Sequence, residues 1–203
     1  MIISRYGAAF IKVQQGDTIF AFNPVSRDFD AKAQKFGADA ALISLNDPQF
    51  NGQDNVAFGS KEPFVINGPG EYEIGGTFVR GFPSAGPDGK INTIYTTTIE
   101  GIKLCHLGGL AKADLSADAI EDIGEIDVLF VPIAGAPYLS PKDAYKLATT
   151  LEAKIVVPTL YQNGEEIKAF LKEAGEQVSP TDKLTIKRKD VEGKEGEIVI
   201  INS

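Results

Sequence analysis

The chain has 203 residues, 43% of them hydrophobic and 24% charged, enough apolar surface for an ordinary core in one domain spanning 1–203. With 20 basic against 28 acidic side chains the net charge is −8, which repels phosphate backbones and argues against a nucleic-acid partner. The single cysteine, Cys105, excludes an intrachain disulfide and fits a reducing, cytoplasmic setting; no window approaches the roughly 18 apolar residues of a membrane span.

The N-terminal stretch MIISRYGAAF shows no pattern of a cleavable leader. Ile2–Ser4, Ala9–Val13 and Thr18–Asn23 are apolar or β-branched, and Gln15-Gly16-Asp17 joins the last two as a hairpin. Ala40–Leu45 is a continuous apolar run that ends in a polar loop, Asn46–Asn51; Pro63–Ile66 is another strand, followed by the turn Asn67-Gly68-Pro69-Gly70. Glu71–Ile74 and Thr77–Phe82 flank Gly75-Gly76 as a second hairpin, and Thr93–Ile99 and Ile102–His106 flank Glu100-Gly101 as a third. Between them Pro83–Lys90, rich in Gly and Pro, reads as a surface loop or a site rim.

From about residue 114 the hydrophobic period changes. Ser116 can cap a helix over Ala117–Ile123, and Ser140-Pro141-Lys142-Asp143 starts a second that runs to about Leu151. Gly164–Ala174 is an amphipathic helix stopped by Gly175. Asp127–Pro132, Lys154–Val157, Leu184–Arg188 and Glu197–Ile201 are strands. Lys183, Lys187, Arg188 and Lys189 form the one basic concentration, but Asp182 and Asp190 interleave it, so it reads as a solvated strand edge.

The chemical inventory is narrow. One histidine and one cysteine cannot build a zinc site of three or four soft ligands. Cys105 and His106 are adjacent in a strand and point to opposite faces, so they cannot pair as nucleophile and base. There is no Gly-x-Ser-x-Gly elbow and no Walker A motif, and Pro69 within Gly68-Pro69-Gly70 lacks the backbone donor of a phosphate cradle. Two polar candidates remain. Asp47 follows a buried strand and could hold a hard cation through oxygen, or simply cap the turn before Pro48; His106 could serve as a general base, or be a satisfied histidine at a strand end.

The ordered segments carry a resemblance. Phe22-Asn23-Pro24, Ala41-Leu42-Ile43-Ser44, Asn67-Gly68-Pro69-Gly70-Glu71-Tyr72-Glu73, Leu104-Cys105-His106-Leu107-Gly108, Val128–Gly135 and Ile155-Val156-Val157-Pro158 follow one another at a familiar spacing. The chain resembles the small metallo-β-lactamase-fold hydrolases related to ascorbate-6-phosphate lactonase, which are zinc-dependent. The resemblance covers nearly the whole chain. It implies an α/β (α+β) fold, a four-layer αβ/βα sandwich with two mixed sheets face to face.

The same resemblance implies a metal site that this chain has lost. The family places Thr-His-x-His-x-Asp-His after the strand that matches Ala41–Ser44. Here the run Ser44–Phe50 puts Leu45, Asp47 and Phe50 at the histidine positions and Gln49 at the aspartate. The next histidine falls on Ala85 or Gly86, the bridging aspartate on Gly109 and the last histidine on Leu160. Leucine, phenylalanine and glycine side chains offer no lone pair to a metal, so the zinc-bound hydroxide that the family uses is not generated. The expectation is a protein with no zinc or other cofactor that acts through binding or assembly, a homo-oligomer being one such assembly. The alternative is a hydrolase that uses non-standard residues or an oxygen-ligated cation at Asp47.

Overall fold

A computed structural model describes residues 1–161 and 164–203. Two mixed sheets face each other. The first runs in the order β12-β1-β2-β3-β4-β5, from β1 (Ile2–Arg5), β2 (Ile11–Gln15), β3 (Thr18–Phe22), β4 (Ala40–Leu42), β5 (Phe64–Ile66) and β12 (Leu184–Thr185). The second runs β13-β11-β10-β9-β8-β7-β6, from β6 (Gly70–Ile74), β7 (Thr77–Ala85), β8 (Ile91–Ile99), β9 (Ile102–His106), β10 (Val128–Pro132), β11 (Ile155–Thr159) and β13 (Glu197–Ile198). β3, β4 and β5 are parallel, as are β9, β10, β11 and β13; the other pairings are antiparallel.

The period-2 alternation of the strands builds separate apolar layers. Phe20 and Phe22 point inward with Leu42, Tyr95, Leu104 and Phe130 to form the core between the sheets. Ala21, between the two phenylalanines, faces outward with Phe10, Ala38 and Ala41. On the outer face of the second sheet, Cys105, Leu129 and Val156 pack against α1 (Ala117–Ile123), α2 (Pro141–Thr150) and α3 (Gly164–Ala174). The opposite outer face is covered by coil around Val25, Ala33 and Phe36 rather than by α-helix, so the fourth layer is irregular.

The local chemistry explains the boundaries. Ser116 Oγ accepts from the Ala119 amide, and Ser140 Oγ accepts from the Asp143 amide with Pro141 in the first turn. Gly75 and Gly76, and Glu100 and Gly101, all take positive φ, the geometry that tight hairpins require.

Three segments differ from expectation: the strand expected over Glu197–Ile201 stops at Ile198, and two others change course. Pro83–Ala85 extends β7 instead of opening a loop, pairing Pro83 with Thr93 and Ala85 with Ile91. The Thr93 amide points away from β7 to the Ser44 carbonyl at 2.9 Å, so this pair faces its amides outward and Pro83 costs the ladder no bond. The strand expected over Leu184–Arg188 stops at Thr185. Arg188 is drawn off by Asp127, 2.7 Å away, and starts a single 3-10 turn.

Candidate functional site

Five chain segments meet at one end of the sandwich: the β1–β2 link, and the segments that leave β4, β9, β10 and β11. The carboxyl ends of parallel strands are where such folds carry their sites. Leu45, Phe50, Leu160 and Ala9 are buried together there, with Ala8, Ala134 and Tyr138 packed against them. The Phe50 and Tyr138 rings lie 6.1 Å apart, tilted by 53°. Gly109 fits flush: a Cβ placed on it would stand 2.3 Å from Leu45 Cδ1 and 2.9 Å from Phe50 Cζ. A Cβ on Gly86 would stand 2.9 Å from Leu45 Cδ2, so Gly86 abuts the same leucine. Leu160 takes a φ of +54°, a left-handed conformation uncommon for leucine, while its amide donates to the Ala8 carbonyl at 2.8 Å.

The polar residues of the same loop lie at the rim. Asp47 Oδ1 accepts from the Gln49 amide at 3.2 Å, and its main-chain carbonyl accepts from the amides of Phe50 and Asn51. Asp47 Oδ2 pairs with Lys90 at 3.1 Å. One oxygen of Asp47 therefore closes the turn after Pro48 and the other faces an ammonium. Gln49 Oε1 accepts from the Tyr138 hydroxyl at 3.2 Å.

His106 lies beneath this cluster, in the core between the sheets. Its ring stacks on Phe22 and Phe130, with centroids 5.6 and 5.3 Å away. Nδ1 accepts from the Gly108 amide at 2.9 Å, which leaves Nε2 protonated to donate to the Ala9 carbonyl at 3.0 Å. Both nitrogens are thus engaged inside the protein, in the neutral tautomer. Burial pushes its pKa down to about 3, only partly offset by the bond to Ala9.

A testable consequence follows from the sign of that shift. A folded pKa below the unfolded 6.5 means that folding excludes the proton, so stability is complete above 6.5 and declines as pH falls toward 3. As His106 is the only histidine, the interval from pH 7 to 5 reports it with little carboxylate titration. The unfolding free energy should fall by about 2 kcal/mol over that interval in wild type, and the fall should be largely absent in His106→Gln, measured by urea titration at each pH.

Two buried asparagines hold the segments in place; the sequence marks Asn23 only as part of Phe22-Asn23-Pro24, and Asn92 carries no motif. Asn23, at φ +49°, accepts from the Ser44 amide through Oδ1 at 2.8 Å. Asn92 Oδ1 accepts from the Gly109 amide at 2.8 Å, and its Nδ2 donates to the Leu107 carbonyl at 2.9 Å. Tyr138 and Lys90 were also missed; neither carries a motif, and only the fold brings them to the loop.

A cleft of about 650 Å³ opens beside the apolar cluster, lined by Arg5, Phe29, Gln49, Tyr138, Leu160 and Tyr161 among others.

This fold and this end of the sandwich define a class. The model of the Beta-lactamase superfamily domain matches residues 3–160, and the chain belongs to that superfamily. It is similar to a Thermotoga maritima protein assigned to the zinc-dependent hydrolases of the metallo-β-lactamase superfamily. The two are 28% identical, with a TM-score of 0.81 over 98% of this chain and 97% of that one. It also shares its fold with a metallo hydrolase from Ignicoccus hospitalis (16% identity, TM-score 0.63, 92% and 98% covered). A metallo-β-lactamase fold protein from Bacillus subtilis matches as well (12% identity, TM-score 0.65, 100% and 97% covered). A search of the curated proteins found no match.

The residues of this chain do not fit a zinc ion. Among the described residues, no three of His, Cys, Asp and Glu come together as a metal-binding group. The segment ends converge instead on Leu45, Phe50 and Leu160, which carry no donor atom, and the closeness of Leu45 to Gly109 leaves no room for an added carboxylate.

Proposed function

We propose that this chain is a metal-independent member of the superfamily, a pseudoenzyme in which the hydrolytic centre has become packing and the adjoining cleft serves binding or assembly. One observation carries the reading: the positions that align with the family's ligands, Leu45, Phe50, Gly109 and Leu160, converge on a single buried apolar cluster. There Leu45 and Phe50 crowd Gly109 so closely that no Cβ could be added to it. The left-handed Leu160 supports the same history, since a backbone outlier of this kind costs about 1–3 kcal/mol and persists where the surroundings dictate it. Asp47 offers little to a second reading based on an oxygen-bound cation, because Lys90 already stands against its carboxylate.

No helix among the described residues is long and apolar enough to cross a membrane. The buried Cys105, whose thiol burial pushes up to about 12, is inert, in keeping with a cytoplasmic setting and with partners recognised without covalent chemistry.

Chelation tests the reading. A ligand at a hundredfold excess over its Kd stabilises by about 2.7 kcal/mol, which moves Tm by several degrees in a chain of this size. Neither EDTA nor added zinc should shift the Tm of the tag-free protein. A fall of several degrees with EDTA that zinc reverses would overturn the proposal.

A further inference from the structure

Arg5 ends β1 and is only 5% exposed, yet it lines the cleft beside the apolar cluster. Its guanidinium lies 3.8 Å over the Tyr161 ring, and Nη2 donates to the Tyr161 carbonyl at 3.2 Å. Its Nε is buried without a hydrogen-bond partner. Among the described residues no carboxylate comes within 4.0 Å of it, although eight other ion pairs form. Buried arginines ordinarily have an anionic partner, because an unpaired charge away from water is costly. In a chain of net charge −8 with 28 acidic side chains, the absence of such a partner is conspicuous.

The geometry points to Arg5 as the anchor of a binding site for a small organic carboxylate, whose anionic end meets the guanidinium and whose apolar body lies along the cleft. A guanidinium matches a planar carboxylate with two parallel hydrogen bonds. The cleft volume of about 650 Å³ lies in the range of small-molecule sites. Its walls are mixed: Phe29, Ala134 and Pro137 give an apolar stretch for the ligand body, and Gln49 and Tyr138 stand among the polar groups around it. On its other flank Arg5 borders a shallower hollow with Asp30, Lys32 and Asp182, none of which pairs with it. This inference rests on the reading of the cleft as a binding site and adds the class of its ligand.

The test compares benzoate with benzamide, two probes of one shape that differ in charge, in an amide-resonance NMR titration of the full chain. Benzoate should shift the resonances of Gly7, Ala8, Leu160 and Tyr161 saturably, and at least tenfold more tightly than benzamide. Arg5→Lys, with its fold checked by circular dichroism, should weaken benzoate at least tenfold. Equal affinity for the two probes, or an undiminished affinity in a folded Arg5→Lys protein, overturns the anion assignment while leaving the cleft a binding site. If Arg5→Lys does not fold, the two-probe comparison on wild type decides alone. Failure of both probes to move these resonances overturns the proposal; the metal-independent reading then stands or falls by chelation.

Discussion

Phe50→Ala should cost about 3–5 kcal/mol of unfolding free energy, the range for truncating a large aromatic that leaves a cavity in a core. Phe50 is 0% exposed and touches the cluster of Ala9, Leu45 and Leu160 while its ring meets Tyr138. Its neighbours are held from separate strands, so the space cannot collapse by a local loop shift. The comparison that gives the result meaning is Asp47→Ala on the same loop. That carboxylate is part-exposed, with one oxygen on Lys90 and the other on the Gln49 amide, so its removal should cost about 1 kcal/mol. Urea unfolding of the two variants measures both. Phe50→Ala as mild as Asp47→Ala would mean that the cluster of Leu45, Phe50 and Leu160 is loosely filled, against its close contacts.

The second large effect is expected far from the cleft. Asp127 stands just before β10 with its side chain 6% exposed. Oδ1 accepts from Lys154 at 2.7 Å; Oδ2 accepts from Arg188 at 2.7 Å and from the Lys103 amide at 2.8 Å. One carboxylate thereby ties the starts of β9, β10 and β11 to the chain segment after β12. Burial pushes its pKa up, but the Lys154 and Lys103 hydrogen bonds and the charges of Lys154 and Arg188 outweigh it and hold the carboxyl below the usual range. The stability it contributes is present above the ordinary carboxylate pKa and is lost as pH falls through the lower folded value. Asp127→Ala should cost about 2–4 kcal/mol at pH 7, somewhat less than a fully buried pair because Arg188 and Lys154 keep contact with water. Asp127→Asn should fall between, since its amide oxygen can still accept from Lys103. A cost below that of Asp47→Ala would show that the three contacts do not act together.

Much of the fold was legible because strand and hairpin signals are local. The turns at Gln15-Gly16-Asp17, Gly75-Gly76 and Glu100-Gly101, and the capping serines Ser116 and Ser140, each encode their geometry within a few residues. Pro83 misled because proline weakens a strand only where an amide is needed, and which amides are needed depends on a partner strand ten residues away. The fourth layer of coil over the first sheet was not legible, since Ala21, Ala38 and Ala41 carry no signal of what will cover them. At the candidate site, the absence of metal-donor side chains at Leu45, Phe50, Gly109 and Leu160 is plain from residue types. Their mutual contact is not, as it is made by long-range packing of the segments that follow β4, β9 and β11. The same holds for Asn23, Asn92 and Arg5. Polar residues inside apolar strands look unremarkable until the fold shows which carbonyl, amide or cleft they face.

Hydrophobic packing in place of a metal centre underlies the proposed function. Its most direct test is the metal content of tag-free protein, purified without added metal and without chelator and measured by inductively coupled plasma mass spectrometry. A centre built on Leu45, Phe50, Gly109 and Leu160 predicts zinc, iron and manganese each below about 0.1 per chain, since these side chains supply no ligand. A tightly held ion at one or more per chain, retained through gel filtration, would contradict it.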